Sequence, residues 1–195
     1  GCADGSKDLK SAVSSGKKEA VAKALRDLGA VVSFDGRDRL RRIDLSPQGA
    51  FRNQTFTDQD LRQLKRFAQE RKLDGLEEID LATSSITDAG LEHLRRLGNV
   101  RELDLYYAEY VTDSGLGHLV DWTRLERLDL KGTKITSRSL EHISRLINLR
   151  SLDISFTAID DDGFENLGSL LKLERLAIGG NRLTGSCLNF LSRLP

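Results

Sequence analysis

A chain of 195 residues, 38% of them hydrophobic, is long enough to bury one sizeable core, and its 30 basic side chains balance 30 acidic ones to a formal net charge of zero. Neutrality gives no long-range pull toward phosphate backbones or anionic lipid, so neither nucleic acid nor a bare membrane surface is the expected partner. No segment approaches the roughly eighteen apolar residues of a membrane-spanning helix, and two cysteines, Cys2 and Cys187, do not make a disulfide framework.

The first residues read "GCADGSKD". A small residue ahead of a cysteine, followed by a polar stretch, resembles the mature end of a bacterial lipoprotein. That resemblance implies lipidation at Cys2, a polar tether over residues 1–15 and a place in the bacterial cell envelope, in the periplasm or at the surface. If Cys2 stands there by chance, no membrane anchor is implied and a cytoplasmic location is expected. Next, "GKKEAVAKALRDLGA" from Gly16 to Ala30 places Val21, Leu25 and Leu28 on one helical face and ends at Gly29. In "AVVSFDGRDRLRRIDLS" the Asp35-Gly36 pair lies between two alternating runs and predicts a hairpin turn. Residues 16–39 therefore read as a helix and hairpin that cap an apolar face further along the chain.

That face is repeated over residues 40–195. "LEEIDL" at Leu76, "VRELDL" at Val100, "LERLDL" at Leu125, "LRSLDI" at Leu149 and "LERLAI" at Leu173 start 24, 25, 24 and 24 residues apart. A looser copy starts with "LRRIDLS" at Leu40 and resumes at "FTDQDLRQLKRF" from Phe56 to Phe67. Alternation predicts parallel strands over 78–81, 102–105, 127–130, 151–154 and 175–178, each followed by a helix, with an edge strand within 40–46. One unit cannot bury its own leucine face, so neighbours must stack to complete the core.

L-x-x-L-x-L at this period is the leucine-rich-repeat signature. The "ITDAGLEHL" half, residues 86–94, resembles ribonuclease-inhibitor-like and cysteine-containing repeats, as in short bacterial leucine-rich proteins. The resemblance implies an α/β, right-handed solenoid with parallel strands on the concave face and helices on the convex face.

Several columns carry polar or small residues. Ser84, Thr133, Thr157 and Asn181 share a position where a side chain can bond free backbone groups of the turn, and Thr-Asp at 87–88 and 112–113 supplies oxygens to cap the following helix. Gly90, Gly115 and Gly163 align with Ser139 and Cys187, which marks Cys187 as a buried small residue and not a nucleophile. His93, His118 and His142 form a column in the helical half. Elements there stand about 10 Å apart, too far for shared zinc ligation, so each ring is expected to pack at the rim of the helix layer and bond a loop carbonyl.

Asp44, Asp80, Asp104, Asp129 and Asp153 are the middle residues of the "IDL"-type strands, pointing out of the sheet. Rows of carboxylates about 4.8 Å apart repel one another. They read either as a ladder with local partners, drawing cations from Arg42, Arg127, Lys131 or Arg175, or as an acidic strip for a basic partner or a divalent ion. Because the histidines and aspartates lie on opposite faces, no catalytic dyad assembles from them, and no phosphate loop, dinucleotide fingerprint or zinc motif is present. The chain is read as a non-enzyme without cofactor or metal, whose work is recognition of another protein. The alternative is a structural protein that self-associates through its last repeat.

The recognition surface is placed by an irregularity. The copy from Val100 is one residue longer, inside "YYAEYV", which holds all three tyrosines, Tyr106, Tyr107 and Tyr110. Phe156 occupies the position of Tyr107 two copies on, with Gly132 between them, so an aromatic patch is expected at the sheet rim beside Asp80, Asp104, Asp129 and Lys131. Trp122 falls at a leucine position and should be buried. A monomer with at most weak self-association is expected.

Overall fold

The computed structural model describes residues 19–47, 56–69 and 72–192. Cys2, residues 1–15, which the sequence reading took as a polar tether, and residues 48–55 lie outside them. Residues 19–27 form helix α1, followed by strands β1 (Val31–Phe34) and β2 (Leu40–Asp44) and helix α2 (Asp58–Gln69). The regular units then give β3 (Glu78–Asp80), α3 (Asp88–Leu94), β4 (Glu102–Asp104), α4 (Asp113–Leu116), β5 (Arg127–Asp129), α5 (Ser139–Ile143), β6 (Ser151–Asp153), β7 (Arg175–Ala177) and α6 (Leu188–Leu191). The strands make one sheet in chain order, antiparallel between β1 and β2 and parallel from β2 to β7.

The register follows from the aliphatic pattern. Ile43, Ile79, Leu103, Leu128, Leu152 and Leu176 pair in one row, and the first five of them are 2% exposed or less. Rows on either side, such as Leu76–Val100–Leu125–Leu149 and Leu81–Leu105–Leu130–Ile154, are fully covered. Each such side chain stabilises by about 2 kcal/mol on burial, but only when a neighbour closes the row. Trp122 takes one leucine position, is completely buried, and donates its indole N–H to the Arg95 carbonyl at 3.3 Å.

At the first end, Val21, Ala22 and Leu25 of α1 join the core with Leu40 and Ile43, and the helix stops at Gly29, whose φ is +92°. The hairpin forms, but not through a two-residue Asp35-Gly36 turn. The loop spans 35–39, and the left-handed residue is Asp38 at φ +57°. The Asp35 carboxylate accepts the backbone N–H groups of Arg37 and Arg39, both at 2.9 Å, and the Arg39 guanidinium at 2.7 Å, which fixes the wider loop.

The helical halves are shorter than the pattern suggested. After β4 the four-residue α4 runs into a 3₁₀ turn at Gly117–Leu119, and after β6 there is only a 3₁₀ helix, Phe164–Ser169. In that repeat the helix start is Gly163 in the left-handed region at φ +79°, with no side-chain cap.

The Thr-Asp pairs divide their labour. Thr87 and Thr112 cap their own helices, accepting the N–H of Ala89 and Ser114. The aspartates instead bond across repeats. Asp58 accepts the backbone N–H and hydroxyl of Thr87 at 2.8 and 2.7 Å; Asp88 does the same for Thr112 and Asp113 for Thr136. Asp161 closes the row on Thr184, Gly185 and Cys187.

One step of this row is inverted. The carboxylate position holds Ser137 and the threonine position holds Asp160, whose carboxylate accepts the Ser137 hydroxyl while its N–H donates to that oxygen at 3.0 Å. The small-residue column follows from the same row. A Cβ at Gly90 or Gly115 would meet the carboxylate of Asp58 or Asp88, and Ser139 uses the space to donate to Asp113. Cys187 is 1% exposed, and burial raises its thiol pKa.

Ser137→Asp alone should lower the urea midpoint, because it faces two carboxylates across one repeat boundary and takes from Asp160 the hydroxyl that donates to it. Adding Asp160→Thr restores the pairing used elsewhere and should recover most of that loss in urea denaturation. A double variant no more stable than Ser137→Asp would show that the pairing contributes little.

Candidate recognition face

The five aspartates of the sheet stand in register, Asp44, Asp80, Asp104, Asp129 and Asp153, and Ala177 ends the row. Each uses one oxygen to accept the backbone N–H two residues on: Ser46, Ala82, Tyr106, Lys131 and Ser155, at 2.8 to 3.1 Å. The residue type is thus explained locally, since a short side-chain acceptor ends the strand and starts the turn.

Cations reach the row unevenly. Arg42 bonds Asp80 at 3.0 Å and Asp44 at 3.4 Å and also pairs with Glu78, while Arg127 turns to Glu102. Burial, together with the neighbouring carboxylates Asp44 and Asp104, pushes the Asp80 carboxyl up to about 6 against the Ala82 N–H and Arg42, which lower it. Asp104 and Asp129 are raised in the same way, burial first. The row lines a groove of roughly 370 Å³ holding Asp80, Asp104, Asp129 and Asp153 with Glu78 and Glu102 against Arg42 and Arg127.

At the strand ends the chain makes a tight turn that puts Thr83, Tyr107, Gly132, Phe156 and Gly180 in one column, all in the left-handed region at φ +50° to +73°. Glycine meets this demand without strain, whereas a bulky L-residue there carries roughly 1–2 kcal/mol. Two aromatics nevertheless occupy the column, each lying on the glycine of the next repeat. A Cβ at Gly132 would sit 2.8 Å from the Tyr107 ring, and one at Gly180 would sit 2.6 Å from Phe156.

Tyr106 packs edge-on against Tyr107 with ring centroids 4.6 Å apart. Lys131 turns its ammonium to the rings, 5.3 Å from the centroids of both Tyr106 and Phe156, and Lys134 lies 5.8 Å from that of Tyr110. Tyr107, Tyr110 and Phe156 remain 37%, 56% and 57% exposed. The structure therefore brings Tyr106, Tyr107, Lys131 and Phe156 into one cluster at the end of the aspartate row, with Tyr110 further out on Lys134. The left-handed column went unread in the sequence, although the glycines at 132 and 180 were its signal.

The histidines lie in the helix layer, away from this face. The Nδ1 of His93 is buried without a hydrogen-bond partner, so the expected carbonyl bond is not made there. Burial lowers the His93 pKa, helped by Lys65 and Arg62. Among the described residues no group of three or more His, Cys, Asp or Glu side chains is placed to hold a metal ion, and no helix is long and apolar enough to cross a membrane.

A family model described as "Leucine Rich repeat" matches residues 145–168, which run from the end of one unit through β6 into the 3₁₀ helix of the next. The fold is shared with an internalin from Listeria monocytogenes str. 4b F2365, 25% identical over 65% of this chain and 35% of the internalin, at a TM-score of 0.54. The chain has the leucine-rich-repeat fold. An internalin C2 from the same strain matches 80% of it and 59% of that chain at 24% identity and a TM-score of 0.56. This leucine-rich-repeat chain thus spans about a third and three fifths of the two internalins. No curated protein matches it in sequence.

The raised Asp80 carboxyl makes a signed prediction. A native pKa above the ordinary carboxylate value means that the folded protein holds a proton the unfolded chain has released, so this group costs stability as pH rises from about 4 to about 6. Asp80→Asn keeps an oxygen acceptor for Ala82 and removes the titration. Its stability relative to the parent should therefore grow between pH 4 and pH 7, by about 1 kcal/mol once solvent screening of this part-exposed carboxylate is discounted. Paired denaturation curves at the two pH values check this, and a difference that is flat or shrinks with pH contradicts it.

Proposed function

We propose that this protein is a non-catalytic recognition module that binds another protein through its sheet face and the rim formed by Tyr106, Tyr107, Tyr110 and Phe156, bordered by Asp80, Asp104, Asp129 and Lys131. The observation that carries this reading is the pair of exposed aromatics, Tyr107 and Phe156, in left-handed backbone where sister repeats use Gly132 and Gly180. Each ring packs against the glycine of the next repeat, Gly132 or Gly180, and still leaves 37% of Tyr107 and 57% of Phe156 open to a partner. Strained residues cluster where a surface is shaped for a ligand, and exposed aromatics beside charges are the usual composition of interface hot spots. The placement of the histidines and the aspartates on different layers supports a binding role over catalysis. Within this proposal Cys2, outside the described residues, carries a lipid that holds the module at a bacterial envelope.

A second reading, self-association through the last repeat, draws on β7. Leu176 and Ile178 are only partly covered there, whereas Leu152 and Ile154 in β6 are 1% and 0% exposed. Sedimentation at high micromolar concentration separates the two readings, since the recognition module stays monomeric without its partner.

The main reading is tested by selecting binders from a displayed protein library against the immobilised domain. Tyr106→Ala and Tyr107→Ala should each weaken the selected binders at least tenfold, which is about 1.4 kcal/mol or more, with little change in melting temperature. Binders indifferent to both substitutions would place the site elsewhere.

A further inference from the structure

The ion pairs of the sheet face distribute its cations in a way that points to the partner's chemistry. Arg42 is engaged with Asp44, Glu78 and Asp80, and Arg127 with Glu102. Alongside, Arg41 within β2 pairs with Glu77, and of the residues just ahead of the later strands Arg101 pairs with Glu126 and Arg150 with Glu174. The middle of the row, Asp104, Asp129 and Asp153, is left with backbone N–H groups on one oxygen of each carboxylate and no side-chain hydrogen bond among the described residues on the other. Lys131 stands beside these carboxylates, yet its ammonium is drawn to the Tyr106 and Phe156 rings.

A second, independent observation concerns those rings. Tyr106 and Phe156 come from repeats on either side of Lys131, and each centroid is 5.3 Å from the same ammonium. The rim is thus an aromatic seat that already accepts a cation on an alkyl stem. It adjoins these carboxylates, which have no side-chain hydrogen bond among the described residues, because Tyr106 follows Asp104 by two residues and Phe156 follows Asp153 by three.

Resting on the recognition reading above, we propose that the partner presents an extended segment rich in lysine or arginine, whose cations sit on Asp104, Asp129 and Asp153 and whose stems lie against Tyr106 and Phe156. Neighbouring strands are about 4.8 Å apart, so three carboxylates span roughly 10 Å, and same-face side chains of an extended segment recur every 7 Å or so. Long basic side chains cover the difference. A divalent ion fits less well, because the carboxylates stand in a parallel row and among the described residues no three such groups converge.

The test is fluorescence anisotropy with a labelled peptide of alternating lysine and glycine at low ionic strength, with the matching glutamate peptide as control. The lysine peptide should bind and the glutamate peptide should not. Asp104→Asn with Asp129→Asn should weaken binding at least tenfold, while Lys131→Met should tighten it, since the cation that occupies the Tyr106 and Phe156 seat is removed. Asparagine keeps the backbone acceptors, and a melt of the double variant at the parent's temperature confirms an intact fold. Equal binding of the glutamate peptide, parent-like affinity in the double variant, or calcium binding by calorimetry with no affinity for the lysine peptide would each overturn the proposal. If the lysine peptide fails while Tyr106→Ala still weakens library-selected binders, the basic partner alone is wrong and the rim reading stands.

Discussion

Each repeat carries an aliphatic row that water covers unless another repeat does. Everything regular in the structure follows from that requirement. Burial near 0% is reached only where rows from both neighbours meet, as for Leu103 between Ile79 and Leu128, and fails at Leu176, which has a neighbour on one side. Stacking forces the strands into register, and register forces like residues into columns. A residue type useful at one boundary, such as the carboxylate at 58, 88, 113 and 161, is then reused at the next. The same repetition brings aspartates side by side on the sheet, a cost accepted because each one also ends its strand by holding the backbone N–H of the turn.

Function enters where the columns vary. Among the described residues the core rows change only in shape, with Trp122 or Phe164 for leucine, and the boundary row survives even an inversion at Ser137 and Asp160. The sheet face and its rim vary in charge and in ring content. Arg42 neutralises one end of the aspartate row and leaves the middle acidic, and two aromatics take turn positions that suit glycine. A solenoid supplies a rigid surface on which such departures are independent of the fold, so recognition can be placed on it without disturbing the core.

The sequence made the stacking legible and the chemistry between stacked units much less so. Periodicity located every strand from β3 to β7 within a residue of its end and placed Trp122 and Cys187 in the core, because burial in one repeat predicts burial in all. The roles of Asp88 and Asp113 were misread as caps of their own helices, since a bond across 24 or 23 residues to Thr112 or Thr136 has no local signature. Asp35-Gly36 marked the hairpin, but not that its loop runs over five residues organised by the Asp35 carboxylate, whose bonds to Arg37 and Arg39 are set by the fold. The grouping of Tyr106, Tyr107 and Phe156 came from a one-residue insertion and a shared column, both visible in the sequence. That the column is left-handed, and that the Lys131 ammonium lies over the rings, depends on backbone angles and side-chain directions that no residue pattern carries.

The central claim is that Tyr107 and Phe156 are held against the preference of their own backbone for the sake of the surface they make. Thermal unfolding of the double variant Tyr107→Gly/Phe156→Gly tests this most directly, because glycine removes the left-handed strain together with the rings. If the rings serve recognition, the variant melts at or above the parent temperature, the relief of roughly 1–2 kcal/mol per site offsetting the lost contacts. A melting temperature lower by more than about 6 °C would mean that the rings hold the repeats together, and would contradict the account.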